Sequence, residues 1–357
     1  MANDNLKDAR NTKNDEFYTQ FQDIEREVNA YLDYNPDVFR NKTILLPCDD
    51  PEWSNFTRFF ALKFDELGLK RLISTSYAPE SKLCNYPYQP SLFEIESPQF
   101  DTSKAKKNGK IFILERDNTG DGRIDINDLE WSYLEGDGDF RSDEVTALRD
   151  ESDVIVTNPP FSLFREFWEW ITETDKLFLI IGNKNCVTYK EVFPFFKENK
   201  VWTGRKEWNG GMWFETKNIS DVDKVVDGVA MKNVASFWLT NIEHGRRHQP
   251  IPLMTMDDNL KFSKHKEIRE KGKYEHYDNY DAIEIPYTNA IPSDYNGVMG
   301  VPISFLDKYC PEQFEIIGAT ESEGKGFSNG LWHKDSKTAQ PLVNGEKKFK
   351  RLFIKKI

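Results

Sequence analysis

No run of about 18 apolar residues occurs in the 357-residue chain, so no segment reads as a membrane-spanning helix. The opening stretch, MANDNLKDARNTKNDEF, is polar and lacks the apolar centre of a secretory signal, which leads to the expectation of a cytoplasmic protein. Cysteine is scarce. Four residues, Cys48, Cys84, Cys186 and Cys310, are scattered singly, which excludes a disulfide scaffold and a paired-cysteine zinc site and leaves reduced thiols. Positive charge is also short: 48 Lys and Arg face 60 Asp and Glu, a formal net charge of −12, so the chain is no simple coat for a polyanion. The deficit is uneven, with residues 1–240 at −13 and residues 241–357 at +1.

What is present is an alternation of apolar strands and amphipathic helices. KTILLPCDD reads as a buried strand, and SNFTRFFALKFDELGLK as a helix with an apolar face through Phe56, Phe59, Phe60, Leu62, Phe64 and Leu67, ended by Gly68. Strands RLISTSY, KIFILER, DVIVTN, KLFLIIGN, KVWTG and VASFWLTNIE follow, with helices LFREFWEWITET and YKEVFPFFKEN among them. The pattern predicts an α/β fold with a mostly parallel sheet and helices on both faces, over residues 1–244. Residues 245–357, rich in Tyr, Pro and Asn, read as a second, less regular region. Ligands of such sheets bind outside the carboxyl ends of the strands, which directs attention to PCDDP, STSY, GDGDF, TNPPF and GNKN. Polyanion contacts would have to be local: HGRRHQ with Arg246 and Arg247, KFSKHKEIREKGK with Lys264 and Lys266, and EKKFKRLFIKK with Lys348, Lys350 and Arg351.

Two metal readings are weak. Asp117–Asp128, DNTGDGRIDIND, matches several calcium-loop positions, but it has Thr119 third, a short Asp at the end and a strand before it, so a hairpin turn accounts for it. His244 and His248 are four apart without a Cys or carboxylate cluster beside them, and no metal is expected.

In TNPPF, Asn158 offers a side-chain carbonyl, Pro159 a carbonyl without an N–H, and Pro160 stiffens the turn. Phe161 adds a flat apolar face. Two acceptors and a ring suit a planar substrate with an exocyclic amine. Its lone pair, delocalised into the ring, becomes nucleophilic once both N–H bonds are drawn out of plane. The matching donor is an activated methyl such as that of S-adenosyl-L-methionine, because in-line transfer depends mainly on positioning.

Together with TNPPF, which lies within VTNPPFSLF at 156–164, DEFYTQ at 15–20, CDDP at 48–51 with SNF at 54–56, GDGDFRS at 136–142, TYKEVF at 188–193, WLTN at 238–241, and YDNYDAI with DYNGVMGVPI within 277–303 span nearly the whole chain. In these the sequence resembles the adenine-specific DNA methyltransferases, most closely the EcoRI-type modification methyltransferases. The resemblance implies a Rossmann-like, S-adenosyl-L-methionine-dependent domain followed by a target-recognition region. It gives Asn158, Pro159, Pro160 and Phe161 the catalytic roles, with Asn158 also beside the cofactor. Phe17, Tyr18 and Thr19 would pack on the methionine end of the cofactor. Cys48, Asp49, Asp50 and Pro51 would line its site, with the choice between the two aspartates left open, and Asp139 with Phe140 would meet its adenine. Two departures from the methyltransferase norm stand out: CDDPEWSNF has no glycine, a trait the EcoRI-type family shares, and STSY lacks the usual acidic ribose contact.

The expected activity is methylation of the exocyclic amine of an adenine flipped out of double-stranded DNA, since the amine cannot reach a bound cofactor inside the stack. The expected setting is a restriction–modification system, with a monomeric enzyme sharing its site with a cognate endonuclease but forming no stable complex with it. Alternatives are a protein glutamine methyltransferase, disfavoured by the missing glycine loop and the large C-terminal region, and a non-catalytic DNA-binding protein, disfavoured by the intact TNPPF.

Overall fold

A computed structural model of the chain describes residues 18–50, 54–78, 94–95, 97–216, 222–321 and 325–357. The chain divides into two compact units: the first runs to Lys184 and includes Gly204–Lys206 and Gly210–Glu243, and the second comprises Asn185–Thr203, Glu207–Asn209 and His244–Ile357. In chain order the first unit carries β1 (Tyr18–Thr19), β2 (Thr43–Leu46), β3 (Arg71–Ser76), β4 (Lys110–Leu114), β5 (Glu130–Tyr133), β6 (Val154–Thr157) and β7 (Leu177–Asn183). The second claims β8 (Trp202–Thr203), and the first resumes with β9 (Met212–Glu215), β10 (Lys224–Val226), β11 (Val229–Val234) and β12 (Ser236–Thr240).

Seven strands of the first unit form a mixed sheet in the order β5-β4-β3-β2-β6-β7-β12. Its centre is parallel: β3 pairs with β2, β2 with β6, and β6 with β7. The flanks are antiparallel, β4 on β3, β5 on β4 and β12 on β7, so the expected mostly parallel sheet is corrected to a parallel centre with antiparallel edges. The central runs TILL and VIVT are buried at every position, as strands covered on both faces must be. On one face Ile44, Leu46, Val154, Val156, Leu179 and Ile181 pack with Ile24, Val28 and Tyr31 of the helix Phe21–Tyr34 and Phe56, Phe59 and Phe60 of the helix Asn55–Leu62. The opposite parity meets the helix Phe164–Thr172, where Trp168 lies edge-on to Phe178 with centroids 5.8 Å apart. A second, antiparallel sheet, β1-β9-β11-β10, holds the N-terminal strand beside the first.

The second unit is more regular than its composition suggested. It contains β13 (Ile283–Glu284), β14 (Met299–Pro302), β15 (Phe314–Ala319), β16 (Leu342–Val343), β17 (Glu346–Lys347) and β18 (Arg351–Lys356). Four of these form the sheet β13-β14-β18-β15, in which the chain's final strand is a central one. Among the described residues no helix is long and apolar enough to cross a membrane.

Candidate active site

The parallel centre of the large sheet has a switch point. The chain proceeds from β2 to β3 on one side, and later places β6 on the other side of β2, so a crevice opens beyond the carboxyl ends of β2 and β6. Asp49, three residues past the end of β2, ties the neighbouring strand ends together. Its N–H donates to the Thr75 carbonyl at 3.1 Å, and its own carbonyl accepts the Ser74 hydroxyl and, at 3.4 Å, that of Thr57. Its carboxylate accepts Ser54 Oγ at 2.7 Å and Thr157 Oγ1 at 2.6 Å. Ser54 in turn caps the helix Asn55–Leu62 by accepting from the Phe56 N–H at 3.1 Å. The two aspartates thereby separate. Asp49 is only 6% exposed with its carboxylate taken by hydroxyls, whereas Asp50 is half-buried at the crevice.

Burial pushes the Asp49 carboxyl up to about 6, against the opposing pull of the Thr157 and Ser54 hydroxyls, and the Asp50 charge adds to the rise. Burial likewise pushes the neighbouring Cys48 thiol up, helped by the Asp49 charge, so Cys48 stays protonated. Asn158 follows the Thr157 anchor directly, half-buried and with its Oδ1 shielded from solvent. The turn after it uses the Pro160 carbonyl, which accepts the Leu163 N–H at 3.0 Å. Phe161 is half-buried against the main core cluster.

The N-terminal strand arrives at the same place: Thr19, 3% exposed, accepts the Asn55 side-chain N–H on its carbonyl at 2.8 Å, one residue from the Ser54 cap. Tyr18 precedes it in β1; Phe17 and Pro51 lie outside the described residues. Asp139 is close enough to raise the Cys48 thiol, and it grips Arg141 at 2.9 and 2.6 Å. Phe140 points away into the core, 4% exposed, against Phe167 and Trp170 at centroid distances of 5.1 and 5.7 Å. Of that pair only Asp139 is partly open to solvent.

The sequence reading missed the hydroxyl collar of Ser54, Ser74, Thr75 and Thr157. The signal was a hydroxyl residue at each neighbouring strand end, which on its own looks like ordinary strand punctuation. In the calcium-like loop, the Asp117 carboxylate accepts the Gly120 and Gly122 N–H groups, and that of Asp128 accepts those of Asn118, Thr119 and Asp125, so backbone amides hold the acids of a β4–β5 hairpin.

The basic candidates divide. Arg351 is a correction: it is 8% exposed in β18 and forms an ion pair with Glu284 at 2.6 Å, so its charge serves the interior. Arg247 is a second correction, 6% exposed, stacked 3.7 Å from the Trp202 centroid and bonded to Asn199. Arg246 is held by Asp307 at 2.8 Å. Lys264 is exposed, Lys266 pairs at the surface with Glu270, Lys348 with Glu346, and Lys350 donates to Thr188 at 2.9 Å. His244 and His248 bond separately, to the Thr203 carbonyl and to Glu312.

Residues 5–357 match the family described as "Adenine-specific methyltransferase EcoRI". The Type II methyltransferase M.EcoRI of Escherichia coli is 39% identical over 357 residues, covering 98% of this chain and 95% of that protein. The Type II methyltransferase M.MpnI of Mycoplasma pneumoniae is 34% identical over 319 residues, 87% of this chain and 83% of that one. M.MgeORF184P of Mycoplasma genitalium, also a Type II methyltransferase, is 31% identical across 98% of this chain and 97% of its own. No solved structure matches the chain.

Proposed function

The chain belongs to the EcoRI-type family of adenine-specific methyltransferases, and from that premise we propose that it methylates the exocyclic amine of an adenine in double-stranded DNA at the carboxyl edge of β6. The observation that carries this reading is the Asp49–Thr157 hydrogen bond of 2.6 Å, which fixes Asn158 at the switch point of the sheet. There the Asn158 Oδ1 and the Pro159 carbonyl accept the two amine hydrogens, and Phe161 faces the base. The amine's lone pair is freed to attack, and its proton leaves to solvent.

The donor set fits S-adenosyl-L-methionine. Asp50 follows β2, Asp139 lies in the loop after β5 that crosses the end of β3 and is near enough to act on the Cys48 thiol, and the loop after β2 has no glycine-rich cradle of N–H groups for phosphate. An acidic mouth of this kind suits a cationic sulfonium and ammonium and repels a phosphorylated cofactor. Bound there, the cofactor supplies an electrophilic methyl group. Asp50 and Asp139 are the acceptors for its amine and hydroxyl groups, and Tyr18 and Thr19 border the same loop.

The second unit, with residues 245–357, is the target-recognition region of this proposal. Its exposed lysines position the duplex, and the target base is flipped to reach Asn158. The setting is a Type II restriction–modification system, with a cytoplasmic, monomeric enzyme that shares its site with an endonuclease without a stable complex.

Incubation with tritiated S-adenosyl-L-methionine and duplex DNA, followed by nucleoside digestion, should place the label on adenine; label on cytosine, on protein or nowhere would sink the reading. Asn158→Ala should lower transfer at least 100-fold, on the order expected for loss of an oriented electrostatic contact, while equilibrium dialysis shows cofactor binding retained. An Asn158→Ala enzyme with wild-type turnover would remove Asn158 from the chemistry.

A further inference from the structure

Phe349 is 88% exposed, the most exposed large hydrophobic side chain among the described residues. It stands between the β16–β17 hairpin and β18, in the sequence EKKFKR. An exposed ring on a slack loop would fold back onto apolar surface, since burying it is favourable by roughly 1.5–3 kcal/mol. This loop is not slack. The Lys348 N–H donates to the Pro341 carbonyl at 2.8 Å, and Gln340 Nε2 donates to the Lys348 carbonyl at 2.9 Å. Just after the ring, Arg351 Nη1 donates to the Phe349 carbonyl at 3.0 Å, and that guanidinium is itself locked to buried Glu284. The hairpin before it is anchored as well, with the Asn344 and Gly345 N–H groups held by Asp278 at 3.2 and 2.7 Å. The backbone is therefore pinned on both sides of a ring that it displays to solvent.

The charge around the ring says what it is displayed to. Lys347, Lys348 and Lys350 flank it in sequence, with Glu346 before them and Glu267 within electrostatic reach of Lys348, in a chain whose formal net charge is −12. Lys350 is oriented by its bond to Thr188, and Lys347 is exposed. An aromatic face between cations matches a nucleic acid, whose bases stack on the ring while its phosphates meet the lysines. We propose that Phe349 is a base-stacking wedge: the ring inserts against the bases of the duplex, and Lys347 and Lys350 hold the flanking phosphates. The inference rests on the DNA-methyltransferase reading and adds to it a residue that unstacks or supports the helix rather than one that reads a base edge.

The test titrates fluorescently labelled, sonicated bacterial genomic duplex with the full-length wild type, Phe349→Ala, Phe349→Trp and Lys347→Ala over a range of salt concentrations, with methyl transfer to the same DNA measured in parallel. Phe349→Ala should weaken binding roughly 10-fold with an unchanged dependence on salt, because stacking releases no counterions, and Phe349→Trp should restore it. Lys347→Ala should lower the magnitude of the salt slope by about 1. A Phe349→Ala protein that binds like a wild type that itself binds and labels the DNA overturns the wedge alone. A wild type that neither binds nor labels duplex overturns the parent reading and the wedge together. Retention on phosphatidylserine vesicles that Phe349→Ala abolishes, with DNA binding intact, would assign the ring to a lipid surface and also overturn the proposal.

Discussion

We expect Asp49 to set function against stability at a single position. Its carboxyl has a folded-state value near 6 against an ordinary 3.8, because burial disfavours the charge more than the Thr157 and Ser54 hydroxyls favour it. The sign follows directly. Above pH 6 the folded protein carries a charge that it would hold more easily unfolded, a cost on the order of 3 kcal/mol at about 1.4 kcal/mol per pH unit; as pH falls from 6 to 3.8 that cost disappears. Asp49→Asn removes the charge while keeping the shape, so thermal melts at pH 8 should show it more stable than the wild type, with the two curves converging near pH 4. Activity should move the other way. Asn has one acceptor oxygen where two hydroxyls donate, so one of Ser54 and Thr157 must turn, and Asn158 loses its fixed neighbour; turnover should fall about 10-fold or more. The same logic predicts wild-type turnover that declines as pH drops below about 6 and an Asp49→Asn profile without that limb. A variant that is less stable at pH 8 and keeps the limb would show that Asp49 merely supports the fold. The position of Asn158 at a strand end was legible in the sequence because the apolar run DVIV stops just before two prolines, which cannot continue a sheet ladder. The different settings of Asp49 and Asp50 were not, since they depend on Thr157, 108 residues away from Asp49.

Close backbone contact, rather than a side chain, sets the geometry where the stretch GDGDF crosses the end of β3. Gly138 has φ +79°, and a Cβ there would lie 2.3 Å from the Ser76 carbonyl oxygen; a Cβ on Gly109 would lie 2.6 Å from the same atom. Two glycines thus let the chain pass over β3, and the Asp137 carbonyl clasps the Ala78 N–H at 2.7 Å, which carries Asp139 to the crevice. Gly138→Ala should cost about 2–4 kcal/mol from the left-handed backbone and the clash combined, read as a lower midpoint in urea unfolding. If that variant unfolds like the wild type, the crossing is looser than this packing allows. Among elements, TILL and VIVT were legible because continuous apolar runs bounded by turns mark strands covered on both faces. The antiparallel flanks were less so. KIFIL is buried on alternate residues and half-buried between, the pattern of a strand with one face less covered although β3 and β5 pair it on both sides, and strand direction follows from connections that no local window contains.

At the scale of the whole molecule the same residue type has two uses, and sequence cannot separate them. EKKFKRLFIKK reads as one basic tail, yet it holds a displayed Phe349, surface lysines and a central strand whose first residue, Arg351, meets Glu284 from 67 residues away. Breaking that pair leaves a buried carboxylate uncompensated, so Arg351→Ala should lose roughly 3–5 kcal/mol of stability. The protein that remains folded should keep the wild-type salt dependence of DNA binding. Lys264→Ala should do the reverse, melting like the wild type while the slope of log K against log salt falls in magnitude by about 1, because an exposed lysine that neutralises a phosphate releases one counterion. Measuring both variants by anisotropy titration and by thermal melting separates the two uses: a slope that drops with Arg351→Ala at an unchanged melting temperature would return this arginine to the DNA surface and remove it from the core.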